Sequence, residues 1–421
     1  MKRSLFLKTA RYTFFICAFL YIPVFAQTSK IDSSEMVTLR IDPEMARGAA
    51  VADIFEEVNF IPLETTAESL FGKISQLTVT ENHFIIADWD TMSILIFSKD
   101  GKFRAKINGS SVNNSTRDNE KHSFYEFSMD RMNNEDCIKI HANRYVFYFD
   151  LNGKLIKKIL SKDYENGGLK FLDKTEIKNH YSTENKQDTS HYEIGLAKDN
   201  KTIANYFPFN LKQRNKDLMY SKGESIIDSK IENERFFLTY YNYNIYKLSP
   251  KKLSLAYHII FPAINSLPVD FLDNPAYIGP EKRRNYFEKN PKAIFTLSNT
   301  YKIGNLLFFK TQDWDVDNKK EALIYNLNTN ALISTGDLAP DTLSSFLPIT
   351  DIGFHFEFSN NGFHHYDGKY LYTSYSSLAM FAFKEQSIGK NPNYNTLLSN
   401  YFKTQNRKSN PIIIQLKPKK D

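Results

Sequence analysis

The sequence predicts an all-β propeller, and three observations carry that reading. Short runs rich in Ile, Val, Phe and Tyr alternate with turn dipeptides, as in residues 84–87, 93–97, Asp100-Gly101 and 102–107, whereas periodic helix is scarce before residue 265. One unit recurs: Phe97-Ser-Lys-Asp-Gly-Lys-Phe-Arg-Ala-Lys-Ile107 aligns residue for residue with Phe149-Asp-Leu-Asn-Gly-Lys-Leu-Ile-Lys-Lys-Ile159, and Asp-Gly and Asn-Gly supply turn residues that tolerate positive φ. Weaker copies at 246–255 and 325–334 again set an aromatic strand, a turn and a second strand in series. Units that cannot bury a face alone must share it with neighbours, which favours a radial array over its competitor, a β-sandwich. Residues 51–417 at about 40 to 45 residues per blade allow eight plain blades, or fewer with insertions, so length leaves the count open.

Taken in order, the chain opens with Lys2, Arg3, Lys8 and Arg11, then the apolar run 12–22, then Val24 and Ala26. This pattern reads as a secretory signal peptide, residues 1–26, cut after Ala26, because the run is short of the roughly 20 residues that span a bilayer. An uncleaved anchor is the alternative. Residues 27–50 read as a short N-terminal extension and 51–421 as the propeller; no later segment is apolar for long enough to span a membrane. Lys plus Arg (54) exceeds Asp plus Glu (48), but four of those bases lie in residues 1–26, leaving 50 against 48. A residual charge of +2 gives no summed field for nucleic acid or an anionic membrane surface. Cys17 lies inside the signal and is poorly placed for lipidation. Cys137 alone remains, so no internal disulfide forms, and the strand 137–140 predicts a small buried hydrophobe rather than a catalytic thiol.

Two stretches read as insertions. Residues 265–292 suggest a loop with a short helix, and the spacing of Leu378, Phe381, Leu397, Leu398 and Phe402 predicts a helical excursion over 376–405 before a final strand, 410–416.

Asn59-Phe-Ile-Pro-Leu-Glu-Thr65, the unit from Phe71-Gly-Lys-Ile-Ser75 to Ile107, the interruption at 376–405 and the closing Asn410-Pro-Ile-Ile-Ile414 resemble the secreted six-bladed β-propellers abundant in Bacteroidetes, related in shape to NHL-repeat propellers. The likeness is good at both ends and loose over 160–240. It implies six blades and a cell-envelope location rather than a reaction. Many relatives carry a lipoprotein cysteine that this chain lacks. The resemblance also implies closure of the ring, with residues 58–63 pairing beside 411–416 and so removing an exposed edge.

Phosphate-binding, dinucleotide-binding, zinc-peptidase and serine-hydrolase motifs are absent from the sequence. Its most specific feature is that both tryptophans share a tripeptide, Asp88-Trp89-Asp90 and Asp313-Trp314-Asp315, each between a second and a third blade strand. With Tyr375 in the corresponding place of the last blade, these loops would open on one face as acidic-aromatic sugar platforms. The competing reading is that each Asp caps a turn and each Trp packs on a neighbour. Asp313, Asp315 and Asp317 space like the start of a calcium loop, but Asn318 and Ile324 stand where Gly and Glu are needed. His355, Glu357 and His364 are weak candidates for a divalent metal or a general base. Arg283-Arg284 reads as solvated surface.

These features predict a secreted, non-enzymatic propeller of a Gram-negative periplasm or surface that binds a glycan, peptide or envelope protein, with no nucleic acid and no resident cofactor. The alternative is a propeller-type hydrolase or lyase with acid/base groups at the channel mouth.

Overall fold

The computed structural model describes residues 28–112, 127–142, 145–161, 169–185, 188–209, 226–350 and 362–420. His355 and Glu357 lie outside the described residues. The described strands form six sheets in a ring, a six-bladed β-propeller.

Five blades run in chain order from an inner first strand to an outer fourth. Blade one comprises Gln76–Val79, His83–Asp88, Ser93–Ser98 and Phe103–Asn108; blade two, Phe127–Met132, Glu135–Ala142, Tyr145–Phe149 and Leu155–Leu160. Blade three comprises Leu169–Lys170, Glu176–Asn185, Asp188–Lys198 and Lys201–Phe209; blade four, Ile226–Asp228, Arg235–Phe237, Asn244–Leu248 and Leu253–Ile260. Blade five comprises Thr296–Ile303, Leu306–Gln312, Ala322–Asn326 and Leu332–Ala339. Blade six takes three strands from the C-terminus, His365–Tyr366, Leu371–Tyr375 and Ile412–Pro418, and its outer strand, Phe55–Pro62, from the N-terminal side. The closing pair is antiparallel, with Ile412 opposite Pro62 and Leu416 opposite Val58, as the closing motif implies.

Both faces of a blade are covered, so its middle strands are apolar without alternation. In blade one, Ile85, Ala87, Ile94 and Ile96 pack with Ile138, Ile140 and Phe147 of blade two. Their sequence neighbours Phe84, Ile86, Leu95 and Phe97 turn the other way, onto Tyr372 and Ile413 of blade six. Cys137 is buried, as its strand predicts, and burial raises its thiol pKa. The repeated unit of the sequence is the hairpin of third and fourth strands: it spans the Asp100-Gly101 turn in blade one and the Asn152-Gly153 turn in blade two, and the weaker copies do the same in blades four and five. Gly101 is required twice over, since its φ is +82° and an added Cβ would lie 2.2 Å from the Pro62 carbonyl oxygen.

The two ends of the ring differ. Turns joining first to second and third to fourth strands are short, such as 133–134, 199–200 and 304–305, and none of those within blades exceeds the six residues of 229–234. Everything longer leaves from the other end, where second strands pass to third and one blade passes to the next. That end carries the extended hairpin of blade three, the helix Pro280–Lys289 between blades four and five, the acidic loop 313–321, and the helices Ser377–Ser387 and Thr396–Thr404 within blade six. The insertions at 265–292 and 376–405 therefore fall where the sequence puts them.

Residues 28–50 do more than extend the chain. Ser29 donates its N–H to the Asn205 carbonyl on the outer strand of blade three at 2.7 Å, and Asp32 exchanges backbone bonds with Leu253 and Leu255 of blade four. Val37–Arg40 then adds in parallel to the outer strand of blade four, and Arg47–Ala50 in parallel to that of blade five. The segment is a strap over the outer rim.

Candidate functional site

The elaborated end of the ring holds both Asp-Trp-Asp tripeptides, but the structure gives them different fates. In blade one, Asp88 is fully buried: its Oδ2 accepts from the Gly72 N–H at 3.0 Å and the Thr91 hydroxyl at 2.9 Å, and its Oδ1 from the Asp90 N–H at 3.0 Å. Two of these donors belong to the turn itself and the third ties the turn to the chain entering the blade, so Asp88 is a structural cap rather than a ligand contact. The cap holds out Trp89, which is 42% exposed, beside Asp90 and its surface partner Lys73 at 3.4 Å. Trp89 and Asp90 thus remain available to a ligand.

In blade five the tripeptide faces inward. The Trp314 ring lies 5.7 Å from that of Phe287, tilted by 32°, and joins a cluster with Phe271, Tyr286 and Phe295. Trp314 is half-buried and serves mainly as packing for the helix Pro280–Lys289. Asp313 accepts from Asn318 Nδ2 at 2.7 Å and from the Asp315 N–H at 3.0 Å, and Asp315 in turn accepts from the Asp317 N–H at 3.2 Å. These turn bonds engage both carboxylate oxygens of Asp313 and one of Asp315, while Asp317 contributes only its N–H. Among the described residues no group of three or more His, Cys, Asp or Glu side chains could hold a metal.

Two further site expectations need correction. Tyr375 is fully buried, its hydroxyl donating to the Pro348 carbonyl at 3.1 Å and its ring edge-on to Phe383 at 5.1 Å, because the helix Ser377–Ser387 folds back over it. Arg283 is 1% exposed rather than solvated, with its guanidinium 4.3 Å from the Tyr241 ring centroid and 4.5 Å from that of Phe271. Delocalised charge and weak hydration suit a guanidinium to such a slot. The aromatic residues flanking Arg283, Tyr277, Tyr286 and Phe287, were the available signal.

His364 sits at the same end, where the chain enters blade six. Its Nε2 is 2.9 Å from the Ser374 hydroxyl, and burial, reinforced by Lys310, pushes the imidazole pKa down to about 4. Lys310 pairs with Glu321 at 2.9 Å. The adjacent cavity, lined by Asn299, Lys310, Thr335 and Phe363, has ≈ 10 Å³, room for about one water.

Two expected results follow from this geometry. Trp89→Ala should change unfolding free energy by less than about 0.5 kcal/mol, whereas Trp314→Ala should cost about 2–4 kcal/mol by opening a cavity against Phe287; urea unfolding of both variants checks the contrast. The second concerns Asp313, whose carboxyl burial pushes up to about 6 against the opposing bonds from Asn318 and Asp315. A raised carboxyl pKa means that the folded state holds the proton more tightly, so stability is fullest below about pH 4 and falls as pH rises through 6. Asp313→Asn should flatten that slope and gain on the order of 1–2 kcal/mol at pH 7.5. A slope between pH 4 and 7 unchanged in the variant would assign it to other groups.

Among the described residues no helix is long and apolar enough to cross a membrane. No curated protein matches the chain. Among solved structures, a presumed exported protein from Bacteroides fragilis is similar at 16% identity and a TM-score of 0.60, over 91% of this chain and 99% of that one. A member of the DUF4221 family from Bacteroides vulgatus is 9% identical with a TM-score of 0.35, over 86% and 99% of the two chains. The extracellular domain of a presumed one-component system from B. thetaiotaomicron is 10% identical with a TM-score of 0.30, over 78% and 38%. The family profile described as Domain of unknown function (DUF4934) matches residues 37–417. With nearly the whole ring inside that match, the chain belongs to the DUF4934 family.

Proposed function

We propose that this protein is an exported, non-enzymatic binding module of the bacterial cell envelope that engages a peptide or partner protein with the elaborated end of its ring. One observation carries the reading: every long addition to the plain blade leaves from that end, while the other end has only short turns. Loops held by a rigid scaffold are where recognition is built. Exposed large apolar side chains accompany them, including Leu70, Trp89, Ile264, Leu272, Val316, Leu378 and Leu397. The N-terminal apolar run and the exported structural relative support a periplasmic or surface location.

The test is site-specific photo-crosslinking in producing cells, with a photoreactive residue at Trp89, Leu272 or Val316 on the elaborated end, or at Asn200 or Ile231 on the turn end. Protein adducts from the first set and none from the second are expected; the reverse pattern would sink the assignment. A glycan reading rests on Trp89 with Asp90 alone, and a sugar-dependent thermal shift lost in Trp89→Ala would favour it. The hydrolase reading rests on the neutral His364 beside Ser374, and covalent labelling of Ser374 by a fluorophosphonate would favour that instead.

A further inference from the structure

The strap is bound to the ring in the way a peptide is bound by a receptor. Blades four and five have four strands without it, just as blades one and two do, so Val37–Arg40 and Arg47–Ala50 are fifth strands on finished sheets. The outer strand of blade six, by contrast, is Phe55–Pro62 itself. The strap's strands pair on one side only and in parallel, the less stable arrangement per residue. Main-chain bonds run along both edges, and a few side chains are taken up: Leu39, Ile41 and Ala46 enter the core, whereas Met36, Val37 and Met45 stay exposed. That is the division of labour of strand addition, in which the backbone gives affinity and pockets give specificity.

The crossing between the two blades is gripped by lysines. Lys320 Nζ donates to the Glu44 and Ala46 carbonyls at 2.8 and 3.0 Å, and Lys292 pairs with the Glu44 carboxylate at 3.1 Å. Gly48 allows the closest approach, since an added Cβ would lie 2.7 Å from the Asp337 carbonyl oxygen.

We propose that the outer edges of blades four and five form a strand-acceptor groove, with residues 28–50 as its built-in ligand, and that the groove accepts the same segment from a second copy of this chain. Every contact needed between copies is already made within one, which is the condition for segment exchange. The four-residue helix Val51–Ile54 between strap and closing strand is the point at which the path would change.

The probe is a fluorescein-labelled synthetic peptide of residues 28–50, titrated by anisotropy against a chain of residues 51–421, which keeps the closing strand. Saturable binding is expected, weakened at least tenfold when the peptide carries Leu39→Asp or Gly48→Val, and at least tenfold weaker to the intact chain, whose groove is filled. A folded 51–421 chain that ignores the peptide, or binding indifferent to Gly48→Val, overturns the proposal. Should 51–421 not fold, the full chain carrying Leu39→Asp with Ile41→Asp, which loosens the strap in place, takes the same titration. Failure of both to fold would mean the segment is part of the core and would equally overturn it. Exchange is read by light scattering of the intact chain after concentration: a dimer absent from 51–421 supports it, and a strictly monomeric intact chain overturns that part.

Discussion

A chain that begins at Leu63 is expected to yield no cooperatively folded protein. It lacks Phe55–Pro62, so the ladder from Ile412 to Pro418 loses its outer partner and blade six is left with an unpaired apolar edge beside blade one. It also loses Leu39, Ile41, Phe55, Phe60 and Ile61, all buried. At about 1.5–3 kcal/mol for each buried side chain these five alone account for about 8–15 kcal/mol, before Val51 and Ile54 are counted, and that already matches the whole stability of a typical domain, about 5–15 kcal/mol. Calorimetry and size-exclusion chromatography check this. A sharp transition in the truncated chain within about 10 °C of the intact one would show that the ring closes without its N-terminal strand.

The largest expected effect of a single substitution is at Asn410. Its side chain is fully buried and saturated: Nδ2 donates to the Glu64 and Ser69 carbonyls at 2.7 and 2.9 Å, and Oδ1 accepts from the Phe71 N–H at 3.1 Å. Its own carbonyl accepts from the Ser377 hydroxyl at 2.5 Å. One side chain thus fixes the passage from the closing strand into blade one. Asn410→Ala strands the Ser69 carbonyl and the Phe71 N–H away from water, while the Glu64 carbonyl keeps the Ser69 hydroxyl at 2.7 Å; at about 1–3 kcal/mol for each unsatisfied group a loss of at least about 2 kcal/mol is expected. Asn410→Asp keeps the shape, yet turns an acceptor toward two carbonyls and should cost as much, with partial recovery at low pH where the carboxyl can donate. Urea unfolding at pH 4.5 and 7.5 separates the two variants; near-wild-type stability in Asn410→Ala would mean that water replaces the amide.

Much of the ring was legible because blade hairpins must turn in few residues. Asp100-Gly101 and Asn152-Gly153 meet that demand with local chemistry, and local chemistry is written in sequence. The strap was not legible. Its two strands are four residues long, half exposed, and defined by partners more than 200 residues away, so no periodicity announces them. Blade three hid behind a hairpin lengthened beyond the usual blade strand. The site divided in the same way. That Asp88 and Asp313 accept bonds from within their own turns follows from residue type and spacing. Whether the indole between the acids faces water is decided by a distant element: Phe287 comes to Trp314 from the helix between blades, while Trp89 stays 42% exposed. Identical tripeptides therefore gave one candidate contact and one piece of packing.

The closing ladder also constrains the order of events as the chain is made. Pro62 meets Ile412, and these positions are 412 − 62 = 350 residues apart. At about 5–20 residues per second, some 20 to 70 s of synthesis separate the two halves of that sheet. Blades one to five can each form from contiguous chain, but the sixth is a contact of very high order that waits for the last strand. Throughout that interval Phe55–Pro62, with Phe60 and Ile61 among its residues, is an unpaired strand. In whichever compartment the ring closes, Phe55–Pro62 is the segment without its partner until Ile412–Pro418 has arrived.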